Sequence, residues 1–162
     1  MSVNKYRPHV YVLPEDDADR QLANGFRLGD LSNFGQMQVL NEAGGWQEVM
    51  KCFNDDHVHE MERYANRFMV LLIDFDEQPN RLNTVQAQIP EGLKERVFVL
   101  GVWSQPEKLK PDYGPDYEKI GSALAKDCRD NTDVTWAHNL LSHNAGELER
   151  LRLHVRPILF SE

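Results

Sequence analysis

Four carboxylates carry the most pointed chemistry in this chain. Asp74 and Asp76 flank Phe75 at the end of an unbroken apolar run, "MVLLIDFDE". Glu15 follows "HVYVLP", and Glu107 comes a few residues after "RVFVLGVW". Two aspartates separated by one residue point to the same side of an extended chain, and like charges held that close repel. Water or a cation must make the arrangement tolerable. A few carboxylates, completed by waters and substrate phosphates, are the hard-oxygen set that Mg²⁺ or Mn²⁺ takes. Acidic residues also end strands for a simpler reason, as turn formers and solvated caps. The two readings part on whether the four groups are brought to one place.

That depends on the elements carrying them. "HVYVL" (9–13), "QMQVL" (36–40), residues 69–73 and "RVFVLGVW" (96–103) are rich in apolar and β-branched residues and read as strands. Between them, "DDADRQLANGFRL" reads as a helix capped by Asp16 or Asp17, and "WQEVMKCF" as a second. "DDHVHEMERYANRF" reads as a third, capped by Asn54 or Asp55, and "NRLNTVQAQI" as a short fourth. Strands alternating with helices predict an α/β fold, a four-stranded, mostly parallel sheet flanked by helices. In such sheets the reactive crevice lies at the carboxyl ends of the strands, where Glu15, Asp74, Asp76 and Glu107 all fall.

Beyond the fourth strand the pattern changes. "PEKLK" is a turn of helix, "PDYGPDY" a loop, and "YEKIGSALAKDCRD" an amphipathic helix with Ile120, Leu124 and Cys128 on one side. "GELERLRLHVRPILF" is a last helix, stopped by Pro157. One domain over 1–162 is expected, with an α/β core at 9–110 and a helical C-terminal extension at 111–162 packed on it, or against a second subunit of a homo-oligomer.

Composition narrows the classes. Of the 162 residues 41% are hydrophobic and 27% charged, the make-up of an ordinary globular protein. No apolar stretch reaches the roughly 18 residues of a membrane span, and residues 1–13 show no export signal. Cys52 and Cys128 give neither a disulfide framework nor a zinc spacing, so a cytoplasmic setting is expected. The net charge is −8, and residues 1–80 hold 14 acidic against 7 basic side chains. Phosphate is repelled by that half unless metal ions intervene.

The order of elements and motifs resembles the topoisomerase–primase (Toprim) family. There a glutamate follows the first strand in a pattern like E-G-x-x-[DE], and D-x-D ends the third. Here "EDDAD" carries Glu15 and Asp19 at that spacing and "DFD" carries Asp74 and Asp76, although Asp16 stands in place of the glycine. Small stand-alone members related to overcoming-lysogenization-defect nucleases look similar and have a further acidic residue after the fourth strand, a position matched by Glu107. The resemblance covers about residues 9–110. It implies metal-dependent cleavage of phosphodiesters in nucleic acid. Asp74 and Asp76 would bind Mg²⁺ or Mn²⁺, with Glu107 a further ligand and Glu15 a ligand or the general acid/base. It equally admits a non-catalytic binding or regulatory module, partnered by an ATPase in a defence or mobile-element system.

The remaining constellations are weaker. His57 and His59 in "DDHVHE" do not share a helix face. His138 and His143 lie in a loop with no acidic neighbour in sequence. "NEAGGWQ" lacks the remainder of a phosphate-binding motif and reads as a tight turn. Tyr113 and Tyr117 read as loop residues rather than nucleophiles. Arg150, Arg152, His154 and Arg156 lie on a helix expected to serve packing.

Overall fold

The computed structural model describes residues 3–29 and 31–160 of the chain. Met1, Ser2, Asp30, Ser161 and Glu162, which the expected 1–162 domain also spans, lie outside the described residues. Four strands form: β1 (His9–Pro14), β2 (Met37–Val39), β3 (Arg67–Leu72) and β4 (Val97–Leu100). They make one sheet in the order β2-β1-β3-β4, and every pairing is parallel. Parallel neighbours need a crossover, and each connection carries a helix: α1 (Asp17–Arg27) after β1, α2 (Trp46–Cys52) and α3 (Val58–Arg63) after β2, α4 (Arg81–Ala87) after β3.

Both faces of the sheet are covered, which explains the nearly continuous apolar strands. Along β3, Val70 faces a core shared with Leu22 of α1. Its neighbours Met69 and Leu71 face the opposite core, with Val49, Phe53, Met61 and Val85. The period of two places Asp74 on the α1 side and sends Phe75 into the other core.

The C-terminal extension is built into the first core. It consists of α5 (Lys110–Tyr113), α6 (Tyr117–Asp130), α7 (Ala145–His154) and α8 (Arg156–Leu159). Ile120, Leu124, Leu148, Leu151 and Val155 join Val10, Val12 and Phe98 there. Helix α7 also closes the open edge of β4 with polar side chains. Val99 N–H donates to Glu147 Oε2 at 2.9 Å, and Gly101 N–H donates to Asn144 Oδ1 at 3.1 Å. Asn144 Nδ2 returns a bond to Gly101 O at 2.9 Å, and Arg150 Nη1 pairs with Glu147. These side chains take the place of a fifth strand and protect an edge that would otherwise pair with another chain. Arg150 thus serves packing, as its setting in the sequence predicts. Glu147→Ala is expected to cost about 2–3 kcal/mol in urea unfolding, because it leaves the buried Val99 N–H without an acceptor and takes the carboxylate partner from Arg150.

Three local expectations change. The two helices expected on either side of Asn54 run on as one, joined by a π-helical turn at Phe53–His57, and Asn54 caps nothing: its Nδ2 donates to Met50 O. The reason lies in the core. Phe53 and Met61 are both fully buried, yet eight residues of α-helix turn about 80° past two full revolutions. One residue added in a wide turn takes back about 100° and returns both side chains to the sheet. Part of the expected loop, Lys110–Tyr113, is helical. Pro157 does stop α7, but it then occupies the first turn of α8, where its missing N–H is not needed.

Candidate active site

In the order β2-β1-β3-β4 the chain leaves β1 toward one side and β3 toward the other, so a crevice opens at the carboxyl ends of these two central strands. Glu15 and Asp74 stand there. They are tied directly, since Asp74 N–H donates to Glu15 Oε1 at 3.2 Å and Glu15 N–H donates to Leu72 O at 2.8 Å. Helix α1 starts beside them. Asp16 is its N-cap and accepts from Asp19 N–H at 3.0 Å, and Asp19 occupies the first turn, where the helix dipole favours negative charge. Ligand atoms of Glu15, Asp16 and Asp74 all lie within 4.8 Å of one another.

Burial makes this cluster unusual. Asp19 is 0% exposed and Asp74 3%. Both oxygens of Asp19 and Oδ1 of Asp74 meet no hydrogen-bond donor among the described residues. Burial, with the neighbouring Asp74 charge, pushes the Asp19 carboxyl well above its usual range. Burial pushes Asp74 up to about 8; the neighbouring Asp19 partly opposes this and the Glu15 charge adds to it. Glu15 is half-buried, and burial lifts it to about 6 against the Asp74 N–H bond. The buried Asp74 carboxylate, with one oxygen lacking a donor and ligand atoms of Glu15 and Asp16 within 4.8 Å, fits a cation, which supplies what the protein does not. Hard carboxylate donors suit Mg²⁺ or Mn²⁺ rather than a thiophilic metal.

The structure brings together Glu15, Asp19 and Asp74 of the expected set, and adds Asp16. Asp76 and Glu107 are placed differently. The alternation that put Asp74 and Asp76 on one side holds only to Phe75, because Asp76 and Glu77 turn into the left-handed region at φ 49° and 58°. Asp76 is exposed and its carboxylate is held by Arg81 Nη1 at 3.0 Å, which also donates to Asp74 O at 2.9 Å. Its charge still reaches Glu15. Glu107 is exposed on a 3-10 turn, Pro106–Leu109, and the cluster does not include it. Asp16 was legible only as a cap, since an N-cap aspartate and a ligand look alike in sequence. Arg81, lying over Trp46 at 4.5 Å, had no signal beyond its place after D-x-D.

Elsewhere the chemistry is less promising. Gly44 and Gly45 close a turn on Glu15 O, as expected. His138 does find an acid, Asp112 Oδ2 at 2.6 Å. An apolar cavity of about 80 Å³ under α1, lined by Val12, Leu22, Val70 and Leu124 among others, holds no titratable side chain. No helix among the described residues is long and apolar enough to cross a membrane. No family model, curated protein or solved structure matches this chain.

Proposed function

We propose that this chain is a metal-dependent, Toprim-like protein that cleaves phosphodiesters in nucleic acid. One observation carries the reading. Buried carboxyl oxygens of Asp19 and Asp74 lack donors at the switch point of a parallel sheet, beside Glu15 and Asp16. Asp74 and Asp16 would hold the cation. A bound Mg²⁺ or Mn²⁺ supplies neutralisation of phosphoryl oxygens and a water acidified toward neutral pH.

The side chains have separate tasks. Asp19, buried in the first turn of α1, adds a negative charge beside Asp74 that strengthens the site's pull on a cation. Glu15, with its carboxyl near 6, exchanges a proton close to working pH and takes the general acid/base role. Arg81 holds Asp76 and the Asp74 carbonyl, and so fixes the loop on which the ligand rides. A second reading, a non-catalytic binding or regulatory module with an ATPase partner, draws on the capping role of Asp16. It also draws on the raised Asp19 and Asp74 carboxyls, whose neutral forms relieve the repulsion without a cation.

Calorimetric titration with Mn²⁺ and cleavage of labelled DNA and RNA separate the two. Wild type is expected to bind and cleave. Glu15→Gln is expected to bind more weakly and lose cleavage by at least about a hundredfold, and Asp74→Asn to lose both. Absence of binding at millimolar Mn²⁺ would leave the module reading standing.

A further inference from the structure

The opposite end of the sheet has the opposite character. His9 and Glu15 are six residues apart along an extended strand, about 20 Å. Around His9 and Arg67, which are register partners on β1 and β3, Lys5, Arg63 and Arg96 gather, and Arg7 lies two residues before His9, in a chain of net charge −8. Lys5, Arg7 and Arg63 are exposed, Arg96 is half-buried, and Arg67 is 3% exposed. None has a carboxylate within ion-pair distance among the described residues. Glu60, Glu62 and Glu95, the acids nearest in sequence, leave all five unpaired.

Aromatic rings take the place of the missing counter-ions. Lys5 Nζ lies 5.3 Å from the centroid of Tyr64, Arg63 Cζ lies 5.3 Å from it, and Arg67 Cζ lies 5.2 Å from it. Arg67 also stacks over Tyr11 at 4.1 Å. Its Nε donates to His9 Nε2 at 3.0 Å, while His9 Nδ1 meets Arg7 O at 2.8 Å. That histidine is therefore neutral and adds no charge of its own. Arg96 spends its guanidinium on the carbonyls of Met61, Tyr64 and Arg67. Tyr6 stands between Lys5 and Arg7 with 85% of its surface exposed, its carbonyl tied down by Asn66.

We infer that this surface, Lys5, Tyr6, Arg7, Arg63 and Tyr64 over a buried Arg67, binds single-stranded nucleic acid. The cations take backbone phosphates and the exposed Tyr6 ring takes a base face, the combination that single-strand surfaces use. The inference rests on the phosphodiester reading for its substrate class, and it resolves the difficulty that reading leaves. An acidic cleft attracts no polyanion, and a cationic end about 20 Å away retains the strand while the cleft engages it.

The test is fluorescence anisotropy of a labelled oligothymidylate in EDTA, across a salt series. Wild type is expected to bind. Combined Lys5→Gln, Arg7→Gln and Arg63→Gln is expected to weaken binding at least tenfold. It should also flatten the slope of log K against log salt by about 2, at about 0.7 for each phosphate no longer neutralised. Tyr6→Ala is expected to weaken binding roughly tenfold with the slope unchanged. All variants should melt with wild type, since the altered side chains are exposed. Equal binding by wild type and the triple variant overturns the inference, as does preference for duplex or for phosphatidylserine vesicles. If the Mn²⁺ response survives such a result, the acidic-site reading is untouched.

Discussion

At pH 8, saturating Mn²⁺ is expected to raise the melting temperature by about 5–10 °C, and at pH 5 by much less. A ligand at a hundred times its dissociation constant stabilises the folded state by about 2.7 kcal/mol. For a chain of this size 1 kcal/mol moves the midpoint by about 2–4 °C. The pH contrast follows from competition, because protons occupy the same oxygens.

The metal-free protein supplies the control. Asp19, Asp74 and Glu15 are all raised above their unfolded values. The folded state therefore binds more protons than the unfolded one, and stability falls as pH rises, from about 4 up to the folded values of about 6 for Glu15 and about 8 for Asp74. Three histidines act the other way. His9, His57 and His143 are lowered by burial, so their contribution is lost as pH falls through the ordinary imidazole value. Between pH 7 and 8 they have nearly finished titrating. In that interval one proton is worth at most about 1.4 kcal/mol, so the metal-free midpoint is expected to drop by up to about 3–6 °C. The Asp19→Asn/Asp74→Asn double variant should melt higher, lose the drop and ignore Mn²⁺. A wild-type midpoint that rises between pH 7 and 8, with no Mn²⁺ effect, would mean the cluster is not strained.

The second large effect lies where α1 crosses α6. A Cβ placed on Gly25 would lie 2.0 Å from Glu118 O, and one placed on Gly121 would lie 2.0 Å from Leu22 O. Both obstacles are backbone, which cannot rotate away, so the helices would have to separate. Ordinarily Gly→Ala inside a helix gains about 1 kcal/mol. Here Gly25→Ala and Gly121→Ala are each expected to lose at least about 3 kcal/mol, at the upper end of overpacking costs. Gly146 in α7 is the matched comparison, with nothing within 4 Å of its added Cβ. Gly146→Ala should gain a few tenths to 1 kcal/mol. Because α1 carries Asp16 and Asp19, a Gly121→Ala protein that still folds should also bind Mn²⁺ less tightly. Equal stability of all three alanine variants in urea would contradict the close crossing.

Much of this was local and therefore legible. Val, Leu and Ile runs at 9–13, 69–73 and 96–102 could only be covered strands, and helices between them forced a parallel sheet with Glu15 and Asp74 at its carboxyl end. Asp16 capping α1, and α6 over Tyr117–Asp130, follow from residue type and period alone. Where side chains of distant segments meet, sequence was silent. Asp76 left the cluster because two residues went left-handed and Arg81 captured it, and Glu107 swung out on a 3-10 turn. The π-turn at Phe53–His57 answers to the position of the sheet beneath it, not to its own residues. Asp19 reads in sequence as one more solvated first-turn acid. Only the packing of α1 against the sheet and α6 removed its water and brought it near Asp74, because desolvation belongs to the assembled core and leaves no mark on the local chain.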